Sequence, residues 1–203
     1  MTTPMRLLLS RRALLIAAAV PVAMPARADS ADPATGFIDK LLHDLTTVVN
    51  GPGSTEEKRA ALEKIIDSTV DLNSVARFCL GRYWRIATEQ QQRDYTTLFH
   101  AVLVASIVGN VGRYKGVSFT IGRTSPRDAD YVVATTVTRP GEAAYKAEWL
   151  VGMGGGSPKL IDVIAEGVSL RLTQRADYAS YLERNNNNIQ ALIGAMRQQA
   201  GSP

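Results

Sequence analysis

The segment AVLVASIVGNVGRYKGVSFTI, residues 101–121, contains the change of pattern that decides the fold. Residues 101–108 are apolar on every side of a helix, whereas from residue 117 onward apolar and polar residues alternate with the period of a β-strand. A helix that is apolar all round is either covered on every side or faces an internal cavity. The segment therefore predicts a helix that ends near Gly109 and is followed by a sheet. Both interpretations of the helix, a central core helix and a cavity-lining helix, stay open.

The chain that follows this helix predicts a sheet. Alternating apolar residues mark three strands and a continuous apolar run marks a fourth, near residues 117–121, 131–137, 145–151 and 160–165. The linkers between them are short and contain Gly or Pro, which favours antiparallel pairing of successive strands. Such a sheet is expected to bury one face.

Helical spacing of apolar residues predicts helices before and after the sheet. Two capping-box patterns, S-x-x-E at residues 54–57 and T-x-x-Q at residues 88–91, mark helix starts, and Asp71 or Asn73 caps a short helix between them. Two further helices are predicted near the C-terminus. This order predicts an α+β domain of N-terminal helices, a four-stranded antiparallel curved sheet and C-terminal helices.

Residues 1–28 have the organisation of a secretory signal peptide. A basic start is followed by an uncharged run at residues 13–24 and a small-x-small exit, which predicts cleavage after Ala28. The run contains a proline and is shorter than the roughly 20 apolar residues of a membrane span, so a retained anchor is disfavoured. The SRR tripeptide at residues 10–12 resembles a twin-arginine signal, and both the Sec and the twin-arginine route stay open. Residues 29–203 are then one mature domain.

The charge of the predicted mature chain excludes one class of partner. The whole chain has 23 Lys and Arg and 19 Asp and Glu. Four of the arginines lie in residues 1–28, which leaves 19 basic residues against 19 acidic ones. A protein that binds nucleic acid needs an excess of cations focused on phosphates. We therefore expect no nucleic-acid partner.

Few residues suit catalysis or metal binding. His43 and His100 are the only histidines and Cys79 is the only cysteine, which makes a metal site improbable by spacing and an internal disulfide impossible. No GxSxG motif is present, so we expect no catalytic residues and no enzymatic activity. Asp162 is the one charge within the fourth strand. A solvent-facing position is favoured for it, and a role as general base in a closed pocket is the alternative.

Two stretches resemble a known family. DLNSVARFCLGRYWR at residues 71–85, followed by ATEQQQ at residues 87–92, is similar to the LGRYWR-x-AT-x-EQ signature of the MlaC, or toluene-tolerance, family. DVIAEGVSL at residues 162–170 resembles the DVIAEGVS segment ahead of that family's last helices. The similarity spans nearly the whole mature chain in the same order. One departure is the sequence GSPK at residues 156–159, where a tryptophan is expected near the mouth of the family's pocket.

The resemblance implies a function. A protein of this family would work in the periplasm as a carrier that binds phospholipid as cargo and uses no cofactor. It would pass lipid between an outer-membrane lipoprotein complex and an inner-membrane ABC transporter complex, for lipid asymmetry of the outer membrane. We expect a monomer. The alternatives are a hopanoid-associated lipid carrier of the same architecture, a periplasmic adaptor that holds no lipid, and a small enzyme that uses Asp162.

A carrier of this kind needs an apolar cavity, which we expect between the sheet and the helices. Exposing one 16-carbon acyl chain to water costs roughly 12 kcal/mol, at about 0.8 kcal/mol per methylene. The residues predicted to line the cavity are Leu98, Val102, Ile107, Val133, Val137, Trp149, Val151 and Val163. Arg82 and Arg85 are the candidates for a headgroup or partner contact, with solvated helix arginines as the alternative.

Overall fold

A computed structural model of the protein describes residues 32–201. The predicted signal peptide and its cleavage site lie outside the described residues. In chain order the elements are α1 (Pro33–Asn50), α2 (Thr55–Thr69), α3 (Leu72–Leu80), a 3₁₀ segment (Gly81–Arg85), α4 (Glu89–Asn110), a second 3₁₀ segment (Val111–Tyr114), β1 (Ser118–Arg127), β2 (Asp130–Thr138), β3 (Tyr145–Gly152), β4 (Lys159–Ala165), β5 (Val168–Ser169), α5 (Leu170–Arg184) and α6 (Ile189–Gly201). The predicted α+β order is confirmed.

Side-chain caps fix the starts of the helices before the sheet. Both predicted capping boxes are present: the side chains of residues 54 and 57 cap α2, and those of residues 88 and 91 cap α4. At α3 the cap is Asp71, whose carboxylate accepts a hydrogen bond from the backbone N–H of Ser74 at 3.0 Å. These caps satisfy backbone N–H groups that have no partner within the helix.

The sheet is antiparallel and its strands lie in the order β1-β2-β3-β4-β5. The prediction of four strands missed β5, which has only two residues and therefore no alternation to detect. The register shifts between Ile121 and Thr124 and again between Leu150 and Val151. Irregularities of this kind bend a strand and increase its twist, which suits a curved sheet.

Both faces of the sheet are buried over β2 and β3, which corrects the expectation of one buried face. Val133 and Trp149 lie on one face, and the alternating residues Val132 and Leu150 lie on the other, yet all four are less than 10% exposed. Helix α1 packs against β1 and β2, while α3 and α5 pack against β4. The sheet is therefore enclosed by helices more fully than a meander with short turns suggested.

The buried residues form separate clusters. The helical cluster joins α3, the first 3₁₀ segment, α4, α5 and α6, with Leu80, Tyr95 and Leu182 among its most buried members. The sheet cluster joins α1 to β2 and β3. A smaller cluster at the end of α1 contains Val49 and Val137. The core of the described chain is thus divided between a helix-on-helix layer and a helix-on-sheet layer.

Helix α4 is more apolar than expected for a helix of which so few residues are fully buried. By length and composition alone, the stretch Glu89–Tyr114 is long and apolar enough to cross a membrane, and its most apolar window has a mean hydropathy of 1.4. Only 22% of the residues in its most apolar window are buried. The helix packs mainly on α6, α2 and α3 rather than on the sheet. A central core helix would be buried on all sides, so this packing disfavours that interpretation.

Candidate functional site

Four of the eight predicted lining residues lie together on the sheet. Val133 on β2, Trp149 on β3 and Val163 on β4 are direct cross-strand neighbours, because Val133 pairs with Trp149 and Trp149 pairs with Val163. Val151 lies two residues along β3 and therefore on the same face. All four belong to the sheet cluster that α1 covers. The strand register, which the alternation of the sequence specifies, brings these residues into one row.

The position of Trp149 in that row is fixed by hydrogen bonds. Its indole Nε1–H donates to the Thr135 hydroxyl at 3.0 Å, and that hydroxyl donates to the carbonyl of Ala147 at 3.1 Å. The ring also packs edge-to-face on Phe119, with centroids 6.1 Å apart. Buried polar groups of this kind need a partner, and here each has one. Trp149 is thus a rigid part of the apolar surface.

The other four predicted lining residues lie elsewhere. Val137 belongs to the small cluster at the end of α1. Leu98 and Val102 belong to the helical cluster, and Ile107 is half-buried and belongs to none of the three clusters. The residues on α4 and the residues on the sheet therefore do not form one packed group.

The first two helices also contribute to this apolar region, although none of their residues was among the eight predicted lining residues. Phe37 and Leu45 of α1 and Ile65 of α2 are half-buried against the sheet cluster. Their helical spacing was a usable signal, since it marks the inward face of each helix. Helix α1 packs on the sheet and α2 packs on α4. The α1–α2 pair therefore joins the apolar sheet face to the apolar part of α4.

Two surface pockets stand out in the described part of the chain, and none of the eight predicted lining residues lines either of them. One, of about 370 Å³, lies where α2 meets α3 and includes Asp67, Asp71 and Lys159. The other, of about 460 Å³, is lined by Ser74, Arg77, Phe78, Gly81, Arg82, Trp84, Arg85 and Arg175, and we call it the arginine pocket. Neither pocket is the apolar cavity expected between the sheet and the helices, and the apolar side chains expected around that cavity are buried or half-buried.

Arg82 and Arg85 both line the arginine pocket, but their contacts differ. Arg82 Nη2 donates to the Tyr83 hydroxyl at 2.9 Å and to Glu183 at 3.0 Å, and Tyr83 in turn donates to Asn187 at 2.9 Å. Arg82 thus ties the 3₁₀ segment to α5. Arg85 has no ion pair or hydrogen bond among the described residues. Of the two, Arg85 has the guanidinium that is available to a ligand.

The favoured solvent-facing position of Asp162 is wrong. The residue is 7% exposed and lies on the sheet face that α5 covers. Its carboxylate accepts hydrogen bonds from the Ser169 hydroxyl at 2.6 Å and from the Arg171 backbone N–H at 3.2 Å, and it pairs with the Arg171 guanidinium at 3.4 Å. These contacts anchor the start of α5. The carboxylate therefore has a structural task at the junction of β4, β5 and α5.

The remaining reactive side chains, those of Cys79 and the two histidines, have different surroundings. Burial raises the pKa of the Cys79 thiol to about 12, so it stays protonated at neutral pH. His100 Nε2 lies 3.0 Å from Asp67, which joins α4 to α2, and His43 is exposed. Within the described residues no group of three His, Cys, Asp or Glu is placed to hold a metal ion.

The domain belongs to the α+β class. Helices cover its antiparallel sheet, one face of the sheet has a row of apolar residues, and α4 has many half-buried apolar side chains. The model of the MlaC protein family matches residues 36–198. The chain belongs to the MlaC family.

One relative by sequence and one solved structure are similar to this chain. The toluene tolerance protein ttg2D of Pseudomonas putida is 24% identical over 192 residues, which cover 92% of this chain and 88% of that protein. A solved structure of a phospholipid-binding protein from Ralstonia solanacearum, in complex with a phospholipid, superposes with a TM-score of 0.72 at 18% identity. The superposition covers 81% of this chain and 95% of the other. It establishes the shared fold.

Proposed function

We propose that this protein binds phospholipid between α4 and the sheet and carries it through the bacterial periplasm, with no catalytic role. The observation that carries the proposal is the packing of α4, many of whose apolar side chains are only half-buried and which packs on other helices more than on the sheet. An apolar occupant would complete the burial of these side chains. Membership of the MlaC family and the phospholipid complex of the Ralstonia solanacearum protein support the same cargo.

The half-buried apolar residues supply the binding energy in this proposal. On α4 they include Leu103, Ile107 and Val108, and on the sheet Phe119, Ile121, Tyr131 and Val163. Covering apolar surface stabilises a complex by about 25 cal/mol per Å². An acyl chain laid between the two layers would cover side chains from both. This arrangement offsets the roughly 12 kcal/mol that a 16-carbon chain costs in water.

The wider setting of the proposal rests on the sequence. The signal peptide at residues 1–28 would export the chain, and residues 29–203 would then act as a monomer in the periplasm. An outer-membrane lipoprotein complex and an inner-membrane ABC transporter complex would be the partners between which lipid moves. Membership of the MlaC family is the support for this setting.

The cargo is tested by filling the proposed space. Ile107→Trp and Val163→Trp each place a large ring between α4 and the sheet. We expect the lipid that co-purifies with protein from the periplasm, measured by native mass spectrometry and lipid extraction, to fall by about tenfold, which corresponds to roughly 1.4 kcal/mol. Ser106→Trp is the matched control, because Ser106 adjoins Ile107 on α4 but is exposed.

Each outcome of this experiment has a clear meaning. Unchanged lipid content in both tryptophan variants, with folding intact by circular dichroism, would contradict the proposed lining. Wild-type protein that neither co-purifies with lipid nor takes it up from vesicles would contradict the carrier function and favour the adaptor. A hopanoid in place of phospholipid would identify the hopanoid-associated alternative.

A further inference from the structure

The arginine pocket is separate from the proposed lipid space and carries an inference of its own. Its arginines come from three elements: Arg77 from α3, Arg82 and Arg85 from the 3₁₀ segment, and Arg175 from α5. Gly81 brings the elements together, since its φ of 60° suits glycine and a Cβ there would lie 3.1 Å from the Arg175 guanidinium. The fold thus gathers these cations rather than leaving them on separate surfaces.

Aromatic rings hold several of the guanidinium groups in place. The Arg77 guanidinium lies 5.9 Å from the centre of the Trp84 ring. Two guanidiniums lie against Phe78, that of Arg171 at 4.5 Å and that of Arg175 at 5.0 Å. Contact with a ring face leaves the N–H groups at the edge of a guanidinium free to donate. The pocket therefore presents oriented donors.

The positive charge of the pocket is not balanced by acidic side chains. Arg82 pairs with Glu183, and the neighbouring Arg171 pairs with Asp162. Among the described residues, no ion pair joins Arg77, Arg85 or Arg175 to a carboxylate. Like charges held close together repel, and an anionic ligand would relieve that repulsion. Since residues 29–203 have equal numbers of acidic and basic residues, the excess is local.

Exposed aliphatic side chains flank the same arginines along the chain. Ile86, which follows Arg85, is 66% exposed, and Leu172, which lies three residues before Arg175, is 57% exposed. Val168 and Leu170 at the start of α5 are also more than half exposed. These four are most of the large apolar side chains that are exposed in the described part of the chain. Ile86 is thus next to Arg85 in the chain, and Leu172 lies on the same face of α5 as Arg175, three residues on.

We propose that the arginine pocket and its flanking aliphatic residues dock the protein on an anionic lipid surface. Guanidinium groups match the oxygens of a phosphodiester by paired hydrogen bonds. Aliphatic side chains next to them fit the boundary between headgroups and acyl chains. A phosphate free in solution would gain nothing from Ile86 or Leu172. The proposal goes beyond the proposed cargo and holds whether or not the protein carries lipid.

The test compares vesicles of phosphatidylcholine alone with vesicles that also contain phosphatidylglycerol. We expect the mature protein to sediment only with the anionic vesicles, and less as salt is added, because salt screens surface charge. Arg77→Glu/Arg85→Glu should weaken this binding by more than about tenfold, since one basic residue near such a surface contributes about fivefold. The matched control is Arg113→Glu/Arg123→Glu, which makes the same charge change at exposed arginines outside the pocket.

A second variant tests the aliphatic part. Ile86→Ser/Leu172→Ser removes no charge and should still weaken binding to the anionic vesicles by at least about tenfold, because burying even one Leu or Ile side chain contributes about that much. Thermal melting checks that each variant is folded. The proposal would be overturned if the two double arginine variants lost vesicle binding equally. It would also be overturned if the wild-type protein bound neutral and anionic vesicles equally well. Tight binding of glycerol phosphate or of an acidic peptide, with no effect of the serine variant, would overturn it in favour of a soluble ligand or a protein partner.

Discussion

The Thr135 hydroxyl group holds one ring of the apolar surface in place, because it accepts from the Trp149 indole and donates to the Ala147 carbonyl. Thr135→Val keeps the shape of the side chain but leaves the buried indole N–H without its partner. We expect the free energy of unfolding to fall by about 1–3 kcal/mol, the usual effect of an unsatisfied buried donor. Urea denaturation followed by tryptophan fluorescence measures the change.

The neighbouring strand position gives the control for this prediction. Thr136 lies on the same strand and is exposed. Thr136→Val should therefore leave the stability nearly unchanged, because it removes no buried hydrogen bond. If both substitutions lowered the free energy of unfolding equally, the loss would come from placing valine in this strand and not from the missing hydroxyl contact.

Asp162 shows why residue-level prediction from sequence was incomplete. The two-residue period of a strand correctly placed Asp162 on the face opposite Val163, although the apolar run of β4 itself does not alternate. The same period gave no sign that α5 covers that face, because the partners Ser169 and Arg171 come from beyond the strand. A pattern within one strand reports which residues share a face, whereas what covers the face depends on the rest of the chain.

The cap of α4 makes a prediction at the scale of the element. The Thr88 hydroxyl accepts a hydrogen bond from the Gln91 backbone N–H at 3.2 Å. Thr88→Ala should lower the free energy of unfolding by about 1 kcal/mol, since an orphan N–H loses its acceptor. Thr97→Ala changes an exposed position within the same helix. It should raise the free energy of unfolding by a few tenths of a kcal/mol, because alanine has a higher helix propensity than threonine. Chemical denaturation of both variants gives the comparison, and a loss in both would contradict the capping role.

The elements themselves were largely predictable. The capping boxes, the six helices of the described chain and four of its strands follow from spacing and turn residues. The rotation of α4 does not, because a helix that is apolar all round has no preferred face for the sequence to reveal. Leu98 and Val102 consequently pack in the helical cluster, while Ile107 lies outside it. The register of the sheet, by contrast, follows from alternation, and its four predicted residues lie together.

The helical cluster makes the stability of the whole molecule sensitive to alkaline pH. Cys79, Tyr95 and Tyr178 are all buried in it, and burial raises the pKa of each, that of Cys79 to about 12. A group whose folded pKa is raised contributes stability that is complete below its unfolded pKa and is lost as the pH rises towards the folded value. We expect the free energy of unfolding to be level near neutral pH and to fall above about pH 9, by up to about 1.4 kcal/mol per pH unit for each group.

Urea denaturation over a series of pH values tests this prediction. Cys79→Ala removes the thiol and should make the alkaline decline shallower, since the tyrosines alone then contribute. Parallel curves for the variant and the wild type would exclude a contribution from the thiol.

The α1–α2 pair joins the two layers on one side, because α1 lies on the sheet and α2 lies on α4. On the other side α3 and α5 of the helical cluster pack against β4. The width of the space proposed for the cargo is therefore set by these two connections, whereas the side chains that would line it can change rotamer. We expect such a protein to tolerate guests of different length and branching, so that selectivity among lipids depends on the rim of the opening and little on its depth.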